Sequence, residues 1–319
     1  MRAKTIPTPP PGDSDTTAGC NYAVAGHVVA APKAAPGLYL VATPIGNLGD
    51  ITLRGLQTLA GVDVIACEDT RITRRLTERY SISAELIPYH EHNAEAARPR
   101  LLERLARGGS IALVSDAGTP LISDPGYKLV RAVCAAGHTV TALPGPSSVL
   151  AALAVAGLPT DRFFFDGFLP PKQQARRTRL AELARIDATL VLFESGGRVQ
   201  DTLGDLAQIM AGREAAICRE LTKLHEEISR ATIAELAANA STLETRGEFV
   251  LVIGPPADDA DTMADDALDE LLKEQLQRES VKDAVMYAVE LSGRPRREVY
   301  ARALALARHS QAGEADGQD

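Results

Sequence analysis

From residue 38 onward, short apolar runs alternate with longer stretches whose apolar residues recur three and four apart, and no other feature constrains the fold as much. A run of five or six apolar residues suits a strand, and the amphipathic stretch after it suits a helix that covers the strand. Strands are expected at LYLVAT (38–43), VDVIAC (62–67), SIALVS (110–115) and TVTAL (139–143), with helices at 53–60, 72–79, 94–107 and 127–136. A second series has strands at FFFDGF (163–168), TLVLFE (189–194), AAICRE (215–220) and FVLVI (249–253), with helices at 173–186 and 199–210. Strand–helix alternation of this kind specifies an α/β fold, here two α/β subdomains that meet near residues 150–159.

The flanking segments read differently. Residues 1–36 are rich in Ala, Pro, Thr and Gly and show no period that buries a face, so they are expected to be a disordered N-terminal extension. Residues 37–150 form the N-terminal and 151–256 the C-terminal α/β subdomain, and the polar, acidic stretch 257–267 is a linker. Three short helical patterns at 268–277, 281–291 and 296–307 make 268–308 a small helical domain of helix-turn-helix type, followed by a disordered tail, 309–319.

No apolar run approaches the roughly 20 residues that cross a bilayer, and the first residues lack the basic-then-apolar order of a secretory signal, so the expected compartment is the cytoplasm. Cys20, Cys67, Cys134 and Cys218 lie far apart, without CxxC pairs or neighbouring histidines, so reduced thiols and no metal site are expected. A formal charge of −8 weighs against a nucleic-acid partner until its distribution is considered. Seven carboxylates fall in 257–270 and three in 309–319, with no Lys or Arg among them; subtracting those ten leaves +2 for the rest.

Chemistry in such sheets collects at the carboxyl ends of the strands. The loop TPIGNLGDIT (43–52) is neither a GxGxxG fingerprint nor a Walker sequence, and a tight turn explains its glycines. SDAGTPLISDPG (115–126) carries more: two Gly, two Pro and two Asp in twelve residues are more constraint than a connection needs. Gly118 and Gly126 permit close backbone approach, and Asp116, Thr119, Ser123 and Asp124 offer polar groups to a ligand. LPGPSSVLAAL (143–153) runs from a strand into a small-residue helix that Ser147 and Ser148 can cap, leaving N–H groups free for a ligand carboxylate.

Taken in order, IGNLGDIT (45–52), CEDTR (67–71), SDAGTPLISDPG, LPGPSS (143–148) and RELTKLHEE (219–227) resemble the tetrapyrrole methylase-like, class III S-adenosylmethionine methyltransferases, in the branch that acts on small-subunit ribosomal RNA. The resemblance covers residues 37 to about 255, and the C-terminal helices resemble that branch's appended domain. It implies two subdomains clasping S-adenosylmethionine, a homodimer, and 2′-O-methylation of a cytidine in the decoding region of 16S rRNA. It also implies cofactor contacts from Pro44, from Asp116, Gly118, Thr119 and Ile122, and from Ser147 and Ser148, with Phe193 and Leu221 on the adenine side. One departure is visible: the family has Glu-Ser-Pro/Thr-His-Arg where this chain has ESGGR (194–198), so no role of that His transfers.

Methyl transfer from a sulfonium is an in-line displacement with a neutral leaving group, so alignment comes first. A positioned base adds roughly 10²–10⁴-fold for a weakly acidic hydroxyl. Glu68, Asp69 and Arg71 of CEDTR, His90 and Asn93 of YHEHN, and Glu220 and Lys223 of RELTK are unranked candidates. For Glu68 and Asp69, charge placement at a helix N-terminus is an equal account. A lysine is protonated near pH 7, so Lys223 suits a phosphate better than a proton to be abstracted. A histidine's ordinary pKa suits proton transfer, but a lone loop histidine is commonly a surface residue.

Three basic clusters are candidate RNA contacts: Arg71, Arg74, Arg75 and Arg79; Lys172, Arg176, Arg177 and Arg179; and Arg294, Arg296 and Arg297. Solvated helix faces explain any one of them. With no Trp in the chain, backbone and shape contacts are expected to outweigh base stacking. Two other readings share the pattern: a tetrapyrrole methyltransferase of the same fold, and a non-enzymatic nucleic-acid-binding sensor of a nucleotide-like ligand.

Overall fold

The computed structural model describes residues 20–256, 265–292, 294 and 296–315. The chain divides at residue 254 into two compact units.

The larger unit starts with a hairpin, β1 (Asn21–Val24) and β2 (His27–Ala30), paired antiparallel from Asn21 with Ala30 to Val24 with His27. Ala25 and Gly26 at its tip both have positive φ, 50° and 82°, the two-residue turn whose twist matches that of the strands. Tyr22 is buried against Leu59 and Tyr80 of the first core, and the Ala23 N–H donates to the Tyr80 carbonyl at 2.7 Å. The expectation of disorder for 1–36 is therefore corrected for residues 20–36, while 1–19 lie outside the described residues. Composition suggested a tail, but a short alternating hairpin was enough to bury one aromatic ring.

Five parallel strands follow: β3 (Gly37–Val41), β4 (Val64–Cys67), β5 (Glu85–Pro88), β6 (Ser110–Val114) and β7 (Val140–Leu143), lying side by side in the order β5-β4-β6-β3-β7. Between them run α1 (Leu53–Gly61), α2 (Thr70–Arg79), α3 (Ala94–Ala106) and α4 (Tyr127–Ala135). Strand alternation sorts the core: Ile65, Cys67, Ala112 and Val114 face one layer with α1 and α2, and Ala66, Ile111 and Leu113 face the other with α3 and α4. Being covered on both faces, β4 and β6 are buried throughout and, Ser110 apart, apolar, which is why they were legible as runs. Because β3 lies between β6 and β7, the loops leaving these three strands open side by side at one end of the sheet.

After β7 comes α5 (Ser148–Ala156), then β8 (Phe163–Phe168), α6 (Gln173–Leu183), β9 (Thr189–Ser195), α7 (Val199–Met210), β10 (Glu214–Arg219), β11 (Glu227–Thr232), α8 (Ile233–Ala238) and β12 (Glu248–Ile253). The second sheet has the order β11-β10-β12-β9-β8, and only β8 and β9 run parallel. Helices α6, α7 and α8 cover one face. The other face is covered by α5, through Val149, Ala152, Leu153 and Ala156 packed on Val191, Ala216, Cys218 and Val252. A boundary at residues 150 and 151 thus cuts a helix that belongs to the second sheet. Strand β11 and helix α8 carry no long apolar run, and the polar half-buried pattern of EISRAT hid the strand.

Among its described residues the second unit has three helices, α9 (Asp265–Leu276), α10 (Val281–Ser292) and α11 (Arg296–Ala315), around Leu268, Leu272, Val285, Ala288, Val299 and Ala303. Helix α11 continues to Ala315, correcting the tail expected from 309, and 316–319 lie outside the described residues. Helix α9 begins at Asp265, inside the expected linker, whose residues 257–264 also lie outside. No helix is long and apolar enough to cross a membrane among the described residues.

Candidate functional site

Loops from the two sheets close around a cavity of about 350 Å³. The loop after β3 is tied to the loop after β6 by paired backbone bonds between Thr43 and Gly118, both 2.9 Å, and by the Thr43 hydroxyl donating to the Ser115 carbonyl at 3.1 Å. The loop after β6 is tied in turn to the loop after β7 by the Thr119 hydroxyl, which donates to the Pro146 carbonyl at 3.1 Å. From the second sheet, the 219–227 turn packs directly on the first loop. A Cβ at Gly46 would lie 2.4 Å from Lys223 Cγ and 3.1 Å from the Leu221 carbonyl oxygen, so only glycine lets the halves approach this closely.

Both bordering loops hold strained backbone. Leu121 and Ser123 have φ of 76° and 60°, and Glu220 and Thr222 have 51° and 66°, left-handed values that cost non-glycine residues on the order of 1–3 kcal/mol each. Such conformations persist where the surroundings hold a loop in one shape, here at the cavity rim.

Of the cofactor contacts expected from the sequence, Gly118, Thr119, Ile122, Ser147, Ser148, Phe193 and Leu221 line the cavity. Pro44 and Asp116 do not line it, but each precedes a lining residue, Ile45 and Ala117. Ser147 caps α5, accepting from the Leu150 N–H at 3.4 Å. Phe193 meets Phe165 and Phe168 edge-to-face, at 4.9 and 5.5 Å between ring centres, in an aromatic wall. Ser123 and Asp124, expected to offer polar groups to a ligand, line the cavity too; Ile45, Phe168, Glu194 and Glu248 also line it and were not singled out as cofactor contacts, Phe168 being legible only as a strand residue. An aromatic wall on one side, with a capped helix start and exposed loop backbone on the other, suits a molecule with an aromatic base at one end and an amino-acid group at the other. S-adenosylmethionine is such a molecule, and the residues present fit it.

The catalytic candidates separate. Asp69 caps α2 through the Arg71 N–H at 2.8 Å and pairs with the Arg71 side chain, whose hydrogen bonds hold its carboxyl down at about 2. That favours the helix-start account of Asp69, and Arg71 is itself 87% exposed. Asn93 shapes its loop, accepting from the His90 N–H and donating to the Pro88 carbonyl, both at 2.9 Å. His90 Nδ1 is buried and has no hydrogen-bond partner among the described residues. Lys223 is held between Glu220 and Glu248, each at 2.8 Å. Burial pushes its pKa down, but the two carboxylates hold it above the usual lysine range, so it is a fixed cation. The same contact, with the Glu248 N–H, keeps Glu220 below its ordinary value despite burial.

A group of carboxylates gathers where β4 and β6 end. Burial raises the pKa of Glu68, with the charges of Asp116 and Asp69 adding to it and His90 opposing. Asp116, whose carboxylate accepts the Asp69 N–H at 3.0 Å, is likewise raised by burial. Asp124 is pushed up to about 6 by burial, then by Glu68 and Asp116, against a lowering hydrogen bond from Ser115. Unlike the other two, Asp124 lines the cavity. Among the described residues, no group of three or more His, Cys, Asp or Glu is placed to hold a metal ion.

Of the two glycines in ESGGR, Gly196 has a local cause, and Gly197, with open space around it, has none in the structure. Glu194 is buried, accepting from the Thr202 hydroxyl at 2.7 Å and the Ser195 N–H at 2.8 Å, and Arg198 donates to the Leu169 carbonyl at 2.8 Å. A Cβ at Gly196 would lie 1.5 Å from the Thr245 carbonyl oxygen, so the 245–247 loop occupies the space a side chain would take.

The basic clusters also divide. On α6, Arg176 is buried in an ion pair with Asp205 at 2.7 Å, Arg177 joins it at 2.6 Å, and Arg179 binds Asp166 and Glu182. Those arginines hold the fold, which corrects their reading as an RNA surface. On α2, Arg74, Arg75 and Arg79 are exposed and have no ion pair among the described residues. In the second unit Arg294 is paired with Asp265 and Glu298, whereas Arg296 and Arg297 are exposed.

Comparison with known proteins bears on this geometry. Residues 37–237 match the family of tetrapyrrole (corrin/porphyrin) methylases, and 262–307 match a domain described as the RsmI C-terminal HTH domain. The chain is 48% identical over 284 residues to a ribosomal RNA small subunit methyltransferase I of Mesorhizobium japonicum, covering 88% of this chain and 95% of that one. It is 46% identical over 268 residues to the protein of the same name from Xylella fastidiosa, covering 82% and 97%. Among solved structures, a cobalt precorrin-4 methyltransferase of cobalamin biosynthesis superposes with a TM-score of 0.52 at 20% identity, over 68% of this chain and 94% of that one, a likeness of fold alone.

Proposed function

The chain belongs to the tetrapyrrole (corrin/porphyrin) methylase family, among the ribosomal RNA small subunit methyltransferases I, and from that premise we propose that it is an S-adenosylmethionine-dependent methyltransferase of small-subunit rRNA. Its target in this reading is the ribose 2′-hydroxyl of a cytidine in the decoding region of 16S rRNA.

One observation carries the reading: four motifs far apart in sequence, at 45–52, 115–126, 143–148 and 219–227, each contribute residues to a single cavity. The bound cofactor supplies a methyl group on a cationic sulfur, so transfer leaves a neutral thioether. The work of the chain is positioning. The start of α5, with Ser147 and Ser148, would receive the cofactor's carboxylate, the backbone at Gly118 and Thr119 would hold its length, and Phe193 and Leu221 would border its adenine. Arg74, Arg75 and Arg79 follow Glu68 and Asp69 by one to three helical turns on α2 and offer to RNA phosphates a charge that no ion pair among the described residues neutralises. The reading carries with it a homodimer acting in the cytoplasm, where small subunits are assembled.

The test offers the wild-type chain and labelled S-adenosylmethionine to undermethylated 30S subunits, naked 16S rRNA and uroporphyrinogen side by side. Mass-spectrometric mapping should find the label on one cytidine ribose. Label on the tetrapyrrole alone, or on a base, overturns the assignment.

A further inference from the structure

We propose that Asp124 is the group that takes the proton from the attacking hydroxyl; this rests on the rRNA reading above and adds a residue to it. Asp124 lines the cavity and sits between Ser123, whose φ is 60°, and Pro125, which restricts the residue before it to extended backbone. Backbone constraint on both sides narrows where the Cα–Cβ bond of Asp124 can point, which suits a group that must meet one atom in a transition state. Gly126, at φ 142°, lets α4 start directly behind it.

The surroundings suit that task. Glu68 at the end of β4 and Asp116 after β6 bring negative charge from the first sheet, and Ser115 offers a hydroxyl. From the second sheet Glu194, Glu248 and the doubly paired Lys223 line the same cavity. Burial and two like charges raise the proton affinity of Asp124 above that of an ordinary aspartate, so it is a stronger base that is still ionised at neutral pH.

The step balances without a further reactant. The hydroxyl O–H bond breaks and its proton goes to Asp124; the freed electron pair forms the O–C bond, and the C–S bond breaks with its pair left on sulfur. One negative and one positive charge disappear together. With the donor bound, Asp124 would face a positive charge before transfer and none after it, which would favour its ionised form first and its protonated form afterwards.

Two measurements test this on the full chain. In calorimetry near pH 6, in buffers of different ionisation enthalpy, S-adenosylmethionine should release protons on binding to the wild type and S-adenosylhomocysteine should not; D124N should release none with either. D124N should bind S-adenosylhomocysteine much as the wild type does and S-adenosylmethionine more weakly, by the lost attraction to the sulfonium, while kcat falls roughly 10²–10⁴-fold and the acidic limb of the pH profile disappears. Equal proton release by the two ligands, an active D124N that keeps its acidic limb, or a D124N that loses S-adenosylhomocysteine binding overturns the proposal. Wild-type transfer to anything but ribose sinks the substrate reading, whereas ribose methylation that survives D124N sinks this one alone.

Discussion

Removing the Asp205 carboxylate strands a guanidinium that has no route to water. Asp205 on α7 is 1% exposed and accepts from Arg176 Nε at 2.7 Å, Arg177 Nε at 2.6 Å and Gln173 Nε2 at 3.3 Å. In D205A, Arg177, 37% exposed, can turn outward, but Arg176, at 3%, cannot. Breaking a buried pair from one side costs about 3–5 kcal/mol, a large share of the roughly 5–15 kcal/mol that holds a typical domain. With a urea slope of about 3 kcal/mol per molar, the midpoint should fall by about 1–1.7 M. The chain has no Trp, so far-UV circular dichroism is the signal. Replacing both partners, as R176M/D205L, leaves no orphan and should recover most of the loss. The arginines hold the Asp205 carboxyl below its ordinary value although burial pushes it up. The pair's contribution is therefore present at neutral pH and is lost as pH falls through the folded-state value. A D205A midpoint that matches the wild type, or a double variant no better than the single, would refute the reasoning.

Other outcomes follow from the same geometry. G46V forces the first loop off the 219–227 turn and should weaken S-adenosylmethionine binding about tenfold, with overpacking costing about 1–3 kcal/mol of stability; calorimetry and urea melts read the two separately. Replacing Arg74, Arg75 and Arg79 together by Ala should weaken rRNA binding and flatten its dependence on salt by up to about 0.9 log units per lost phosphate contact, while cofactor binding stays the same. Unchanged filter-binding slopes would remove α2 from the RNA surface. Y22A empties the pocket under the hairpin and should lower stability by about 2–4 kcal/mol, and a smaller shift on thermal melting would mean that the hairpin only rests on the surface.

The buried strands were legible because a strand covered on both faces must be apolar throughout; β4, β6, β9 and β12 each have four or more consecutive buried residues. Strands at edges carry a weaker mark: β7 and β8 were still legible as short apolar runs, whereas the half-buried β5 drew no assignment and β11 was read only as part of a motif. The hairpin at 21–30 failed for a related reason, since one buried Tyr is too little signal against an Ala- and Pro-rich background.

Local order in the chain determined the alternation of layers, the glycine and proline content of the loops, and the motifs that identify the family, because each depends on residues close together in sequence. Which groups share a cavity depended on strand order, which the sequence does not state. Placing β3 between β6 and β7 set three loops side by side, and α5 crossing to the second sheet brought the 219–227 turn over them. Only that assembly locked Lys223 between two carboxylates, buried Arg176 on Asp205, and left Asp124 facing the cavity with two like charges behind it. Charge and burial are properties of neighbours in space, so the same Arg, Lys or Asp written in the sequence carries no sign of which it will become.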